Sequence, residues 1–302
     1  MLNCSVFRRL ASASVICFLS FCQAQAVDLL YVSLGNGSIV TYDVSLTTGS
    51  AVSASLATFT TTNVNNPQGL AFDASGNLYV ANNGDSTISK FGPGAALLGT
   101  ISTNLSSPGA LAIDPSGNVY ARGLGGTISK FNSAGAFQSS ITGPSSGLAT
   151  DTAGNLYASD YISSTITKFN TSGSAVLTIN TGLNGPIGLA TDASGKLFAA
   201  NQSGSSISVY SSAGVLDSTI TGNMLAPNGI ALDSSGNIYV TNGVGSTISK
   251  FNSSGLFQFG WVTTAAPLFV AVKPTIVPEP TTWVLGALAV SALVVVKRRT
   301  RK

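Results

Sequence analysis

Few side chains in this chain could carry out chemistry. There is no histidine, and the three cysteines, Cys4, Cys17 and Cys22, all lie close to the N-terminus. Glutamate occurs once, at Glu279. Aspartate forms an orderly series: Asp73, Asp114, Asp151, Asp192 and Asp233, each opening a D-x-x-G stretch. Such carboxylates could hold a cation if several oxygens converged on one point. The same residue in the same turn of every repeat also suits local capping, with the carboxylate accepting backbone N–H groups. Asn82, Asp160, Asn201 and Asn242 form a second series, each closing a short apolar run. They are expected on one rim, either lining a ligand site or holding local turns. Arg122 is the one arginine between residues 27 and 276 and falls near the same rim. A guanidinium there could grip an anion through two parallel hydrogen bonds, or it could be a solvated surface group.

Several reaction classes lack their parts. Without histidine there is no Ser-His-Asp arrangement and no His-ligated metal site. No pair of aspartates stands apart from the series as a glycosidase pair would. Glycine-rich stretches fall in hairpin turns and not ahead of helices, so they are not phosphate loops. The sequence therefore assigns no catalytic residue, no metal and no cofactor.

Internal repetition explains the order in these series. "GLAFDASGNLYVANNGDSTISKF" from Gly69 recurs as "GIALDSSGNIYVTNGVGSTISKF" from Gly229, with related copies from Ala110, Gly147 and Gly188. The aromatic anchors Tyr79, Tyr120, Tyr157, Phe198 and Tyr239 recur at a nearly constant interval. Tyr31 is a sixth anchor, with extra chain between Asp43 and Pro67. Each unit reads as four strands. For one repeat these are Gly69 to Phe72, Leu78 to Ala81 and Thr87 to Phe91, then a fourth like Phe137 to Ile141. Alternating apolar residues supply the period of two, and turn residues separate the runs. In the D-x-S-G-N turn, glycine takes the left-handed conformation that closes a tight hairpin.

Four strands per unit of about 40 residues predict a β-propeller. The first unit, from Val27, starts at its second strand, and Ala266 to Pro274 reads as an isolated first strand. Together these complete one blade, close the ring and remove the exposed edges of an open solenoid. The expected fold is all-β: six blades of four strands over residues 27–276.

The pattern P-x-G-h-A-h-D-x-x-G-N-h-Y-V followed by I-x-K-F, where h is apolar, resembles the NHL-type repeat of six-bladed propellers, from Val27 to about Pro274. That resemblance implies the fold. Its members serve as lyases, receptors and scaffolds, so it does not imply one function. The family's aspartate three residues after the aromatic is matched only at Asp160; the other positions are Leu34, Asn82, Gly123, Asn201 and Asn242. The His-Arg pair that often follows in the family is absent here.

Composition bears on location. Only 8% of residues are charged. Between residues 27 and 276 there are ten Asp against seven Lys or Arg, so this region is mildly acidic. It offers no basic face for nucleic acid. Residues 1–26 read as a signal peptide: Arg8 and Arg9, an apolar stretch from Leu10 to Cys22, and Ala24-Gln25-Ala26 as the cleavage site, with Ala24 and Ala26 as its small residues. Lipidation at Cys22 is the rival reading, although Phe21 stands where a small residue is usual. After cleavage the mature chain has no cysteine. At residues 277–302, Pro278-Glu279-Pro280 precedes an uncharged run from Pro280 to Val296 and then the basic cluster Lys297, Arg298 and Arg299. A helix of that length would span about 25 Å, close to a hydrocarbon core. With an exported N-terminus its basic end would face the cytoplasm.

This order resembles the PEP-CTERM sorting signal of Gram-negative bacteria. The resemblance implies recognition of Pro278, Glu279 and Pro280 by an exosortase-like membrane enzyme, and export through a membrane-anchored intermediate to a cell surface or exopolysaccharide-rich matrix. The expected function is a non-enzymatic, exported propeller that binds polysaccharide or envelope proteins, not nucleic acid. The alternative is a propeller enzyme, a lyase or hydrolase, with its site at the central channel.

Overall fold

The computed structural model describes residues 29–44, 57–59, 62–143 and 146–273. The signal peptide with Ala24 and Ala26, and the tail with Pro278, Glu279, Pro280, Lys297, Arg298 and Arg299, lie outside the described residues. The rest is six four-stranded antiparallel sheets.

Blade 1 joins the two ends of the propeller, in the order β24 (Pro267–Val272), β1 (Leu29–Leu34), β2 (Ile39–Asp43) and β3 (Ala57–Thr58). Blade 2 runs β4 (Pro67–Phe72), β5 (Leu78–Asn82), β6 (Thr87–Phe91) and β7 (Leu97–Ile101). Blade 3 holds β8 (Leu111–Ile113), β9 (Val119–Arg122), β10 (Thr127–Phe131) and β11 (Phe137–Thr142). Blade 4 holds β12 (Leu148–Thr150), β13 (Leu156–Asp160), β14 (Thr165–Phe169) and β15 (Ala175–Ile179). Blade 5 holds β16 (Pro186–Thr191), β17 (Leu197–Asn201), β18 (Ser206–Tyr210) and β19 (Leu216–Thr221). Blade 6 holds β20 (Pro227–Leu232), β21 (Ile238–Asn242), β22 (Thr247–Phe251) and β23 (Phe257–Val262). The expected closing strand is β24, paired antiparallel to β1 with Val270 opposite Val32.

The repeat is legible because its residues fill the space between blades. Ile88, Phe91, Ile128, Phe131, Ile248 and Phe251, from three copies of T-I-S-K-F, are all buried. Burying each such side chain stabilises the fold by about 1.5–3 kcal/mol. The outermost strands are largely exposed, as in β11 and β23, so burial does not constrain their sequence and the repeat fades there.

Two departures from the sequence reading bear on the site. First, β4, β16 and β20 begin at proline, ahead of the G-L-A stretch. Their pairing shifts register between Pro67 and Leu70, Pro186 and Leu189, and Pro227 and Ile230. A bulge re-aims the residues it contains. Here it frees the Gly69 N–H to donate to the Gly109 carbonyl of the next blade at 2.8 Å. Four of the six blades carry glycine at this inner position, and there it is crowded: a Cβ on Gly147 would lie 1.9 Å from the Ile187 carbonyl, and one on Gly188 2.3 Å from the Asn228 carbonyl. Second, the second strand of a blade extends to the polar residue that ends it, as in β5 with Asn82.

Candidate functional site at the loop face

The propeller has two faces. The turn face carries the D-x-x-G hairpins between first and second strands. The loop face carries the loops between second and third strands and the crossings between blades.

At the turn face the aspartates are local caps. Asp73 Oδ1 accepts the Ser75 and Asn77 N–H groups at 3.0 and 2.9 Å, and Oδ2 accepts the Asn77 amide at 2.8 Å. Asp114, Asp151 and Asp233 accept equivalent sets, and Asp192 accepts the Ser194 and Lys196 N–H groups. The turn glycine sits in the left-handed region, as at Gly76 with φ 76°. Lysines from the third strands join the caps: Lys90 and Lys168 pair with Asp73 and Asp151 at 3.4 and 3.0 Å. Each of these lysines also lies over the cross-strand tyrosine, Tyr79 or Tyr157. Burial pushes the Asp73 and Asp151 carboxyls up, but the Asn77 or Asn155 amide and N–H and the neighbouring lysine outweigh it. Both end below the ordinary value of 3.8. Lys130 and Lys250 reach further, to the Thr171 and Val44 carbonyls of adjoining blades. Among the described residues no three metal-ligating side chains of the His, Cys, Asp or Glu types gather together.

Of the five rim residues singled out in the sequence, four are committed to the fold. Asn82, Asn201 and Asn242 are each 1% exposed. Asn82 Nδ2 donates to Thr87 and Ser89 of the third strand at 3.0 and 2.9 Å, while its Oδ1 accepts the Asn65 N–H at 3.2 Å. Asn201 and Asn242 repeat the pattern with Ser206, Ser208 and Asn184, and with Thr247, Ser249 and Leu225. They pin each inter-blade loop to its sheet and do not line a channel mouth. A carboxamide at a strand end satisfies buried backbone that would otherwise lack a partner. Asp160 accepts the Ile162 N–H at 2.9 Å and the Ser163 hydroxyl, closing its own loop.

Arg122 is different. It lines a cavity of about 450 Å³ at the loop face, with Gln68, Ser146, Tyr161, Gln202 and Asn228 among its polar neighbours. Its position corresponds to small residues elsewhere: Ser33, Ala81, Ser159, Ala200 and Thr241. Three of those hydroxyls tie their blade to the next, Ser33 to the Gln68 carbonyl, Ser159 to that of Ile187 and Thr241 to that of Leu268. In blade 3 the long side chain fits because the facing residue is Gly109. A Cβ there would lie 2.8 Å from Arg122 Nη1. The Arg122 Nε is buried with no hydrogen-bond partner.

Sequence reasoning missed the rest of the site. The second residue of each innermost segment faces the axis in the series Gln68, Gly109, Ser146, Ile187, Asn228 and Leu268; these line the mouth, with Arg122 over Gly109. One position further, where the repeat has Gly or Ala, blade 1 has Phe269. Phe269 packs against the Ala110 and Leu148 cluster of blades 3 and 4. It touches both the mouth and a smaller cavity of about 200 Å³ below, so the channel is plugged and the mouth is a dish with an aromatic floor. The signal was present: these two columns break an otherwise regular repeat.

Comparison with known proteins agrees with the fold. Residues 64–91, spanning most of blade 2, match the NHL repeat. No curated protein sequence matches. Among solved structures, a chain of the nidogen/laminin complex superposes with a TM-score of 0.69 at 18% identity, over 82% of this chain and 99% of that one. A protein of unknown function from Bacteroides caccae gives 0.66 at 12% identity, over 82% and 99%. Virginiamycin B lyase from Staphylococcus aureus gives 0.61 at 12%, over 82% and 89%. This chain carries an NHL repeat and is a six-bladed propeller. At such identities the likeness concerns the fold, and it spans both a binding assembly and an enzyme.

Proposed function

We propose that this chain is an exported, non-enzymatic propeller of a bacterial surface or extracellular matrix, and that it holds polysaccharide or an envelope protein in the loop-face dish. One observation carries the reading. The mouth ring breaks the repeat although its residues converge on the axis, and it lines an open, floored dish of about 450 Å³, the size of small-ligand sites. The lining mixes amides and hydroxyls with the apolar Ile162, Ile187, Leu268 and Phe269, which suits a neutral or weakly anionic polyhydroxylated ligand that also has apolar C–H faces. Exposed apolar tips surround the dish, including Leu124, Ile162 and Val244. No nucleic acid enters this reading.

The sorting proposal fits the same geometry. β24 ends and β1 begins at the turn face, since Val272 pairs with Leu30. A tail leaving Val272 therefore departs from the turn face, and the six residues from Val272 to Pro278 can reach no further than about 20 Å. In this arrangement the turn face is turned toward the membrane and the dish opens away from it. Pro278, Glu279 and Pro280 are then the segment read by an exosortase-like enzyme, with Lys297, Arg298 and Arg299 on the cytoplasmic side. Mass spectrometry of the surface form in its host tests this: the expected chain starts after Ala26 and ends near Pro280, and an intact Lys302 on that form overturns the processing. Binding is tested by co-sedimentation with host polysaccharide and by pull-down of envelope proteins. Retention by neither defeats the binding reading, and steady turnover of a lactone or glycan by purified protein would replace it with the lyase or hydrolase alternative.

A further inference from the structure

The dish contains one charge whose partner the fold does not supply. Arg122 makes no ion pair with any carboxylate of the described residues, and its Nε is sealed from solvent without an acceptor. The described lysines lie elsewhere. Lys90 and Lys168 pair with turn-face carboxylates, Lys130 and Lys250 reach carbonyls of adjoining blades, Lys196 sits in a turn-face hairpin, and Lys273 follows β24. The loop-face mouth thus has a single cation among the described residues. The guanidinium is only partly buried, so its head remains accessible to an anion entering the dish.

We infer that the dish is a subsite for a carboxylate-bearing sugar of the uronate class, with the carboxylate on the Arg122 fork. This rests on the polysaccharide reading above. A single guanidinium matches a monoanion, and its terminal Nη groups can present N–H donors to the two carboxylate oxygens, the sealed Nε taking no part; a phosphate dianion would leave about one charge uncompensated. The neighbouring lining suits the remainder of a sugar. The Gln68 side-chain amide has no hydrogen-bond partner among the described residues, and the Ser146 hydroxyl faces the cavity, where it accepts the Tyr161 N–H at 3.2 Å. These groups can donate to or accept from ring hydroxyls. Tyr161 is 40% exposed at the wall, and its hydroxyl accepts a bond from Ser203 at 3.1 Å, which holds the ring in place. Its face offers an apolar surface for the C–H side of a pyranose. Gln202 and Asn228 are bonded to each other across blades 5 and 6 and continue the wall beside Tyr161.

The test is calorimetric titration of the full chain in non-ionic detergent with uronate oligomers prepared from polygalacturonate, hyaluronan and alginate. Carboxyl-reduced forms of the same oligomers and inorganic phosphate are run alongside. At least one uronate oligomer is expected to bind, and its reduced form to bind about tenfold to a hundredfold more weakly, the range for a charge-assisted hydrogen-bonded pair. Arg122→Gln should remove that difference while leaving the melting curve intact. Arg122→Lys, which keeps the charge and loses the fork, should fall between. Equal binding of native and reduced oligomers, unchanged by Arg122→Gln, overturns the uronate assignment and leaves the polysaccharide reading standing. Absence of binding by every oligomer overturns the uronate assignment, and the wider binding reading is then decided by the co-sedimentation and pull-down above. Phosphate that displaces the oligomer at equal concentration, through Arg122, overturns the carboxylate assignment in favour of a phosphorylated ligand.

Discussion

At the turn face, aspartate, glycine and asparagine recur hairpin after hairpin, and the carboxylates of Asp73, Asp114, Asp151 and Asp233 meet the same backbone donors in each blade. At the loop-face mouth, the equivalent positions hold Gln68, Gly109, Ser146, Ile187, Asn228 and Leu268, all of different types. Both faces are made by one repeat folded into every blade. A group needed to close every turn must be present in every copy. A ligand, in contrast, lies on the ring axis and meets all the blades at once, so each blade can contribute something different. In a propeller, regularity marks architecture; a column that breaks where the blades converge on the axis, and not merely along the exposed outer strands, marks a candidate site. Asn82, Asn201 and Asn242 confirm the rule from the other side: they recur, and they are structural.

The comparison can be broken at several points. The largest effect is expected from Gly147→Val at the crowded inner ring. Its Cβ would sit 1.9 Å from a backbone carbonyl that no side-chain rotation can move. A loss of about 4 kcal/mol or more is expected, read as insoluble protein or a collapsed melting transition. Next is Asp233→Ala at the turn face. It strands the Ser235 and Asn237 N–H groups, the Asn237 amide and the Tyr239 hydroxyl, which donates to Asp233 at 3.0 Å. Urea denaturation should show about 2–3 kcal/mol lost; a change within error would mean that the carboxylate series is not architectural.

A smaller effect should appear in acid. Asp73 and Asp151 titrate below the ordinary 3.8 in the folded chain, so the unfolded chain binds protons first as pH falls. Their contribution is complete above that ordinary value and disappears as pH drops through the folded values. Asp73→Asn with Asp151→Asn should lower the melting temperature near neutrality and flatten its decline below about pH 4. The partner lysines, Lys90 and Lys168, are shifted upward despite burial, which by itself pulls them down, because of Tyr79 or Tyr157 and the same carboxylates. Their contribution should be lost only as pH rises beyond the ordinary 10.5. The smallest effect belongs to Arg122→Gln. It removes a buried Nε that lacks an acceptor, so stability should change by no more than about 1 kcal/mol in either direction. A large loss in the melting curve would show that Arg122 is a structural member of the inner ring and not a binding group.

Much of this molecule could be read directly. Four strands per repeat, the six units and the capping role of the aspartates follow from local rules (period-two burial, turn chemistry and repeat length), while the closing strand was read by matching the incomplete units at the two ends. Those rules act between residues near in sequence, so a linear reading reaches them. The site could not be reached in that way. Asn82 and Arg122 looked alike as polar residues ending a second strand. Which one is buried against its own sheet, and which extends over Gly109 into a shared cavity, depends on contacts between blades. Phe269 looked like one more apolar residue of a closing strand; only ring closure carries it across the axis to blades 3 and 4 and turns the channel into a dish. The sequence by itself determined the repeat and the turns, because each is satisfied within a single repeat. The tertiary structure alone decided which irregular residues meet, because distant segments converge only when the ring is complete.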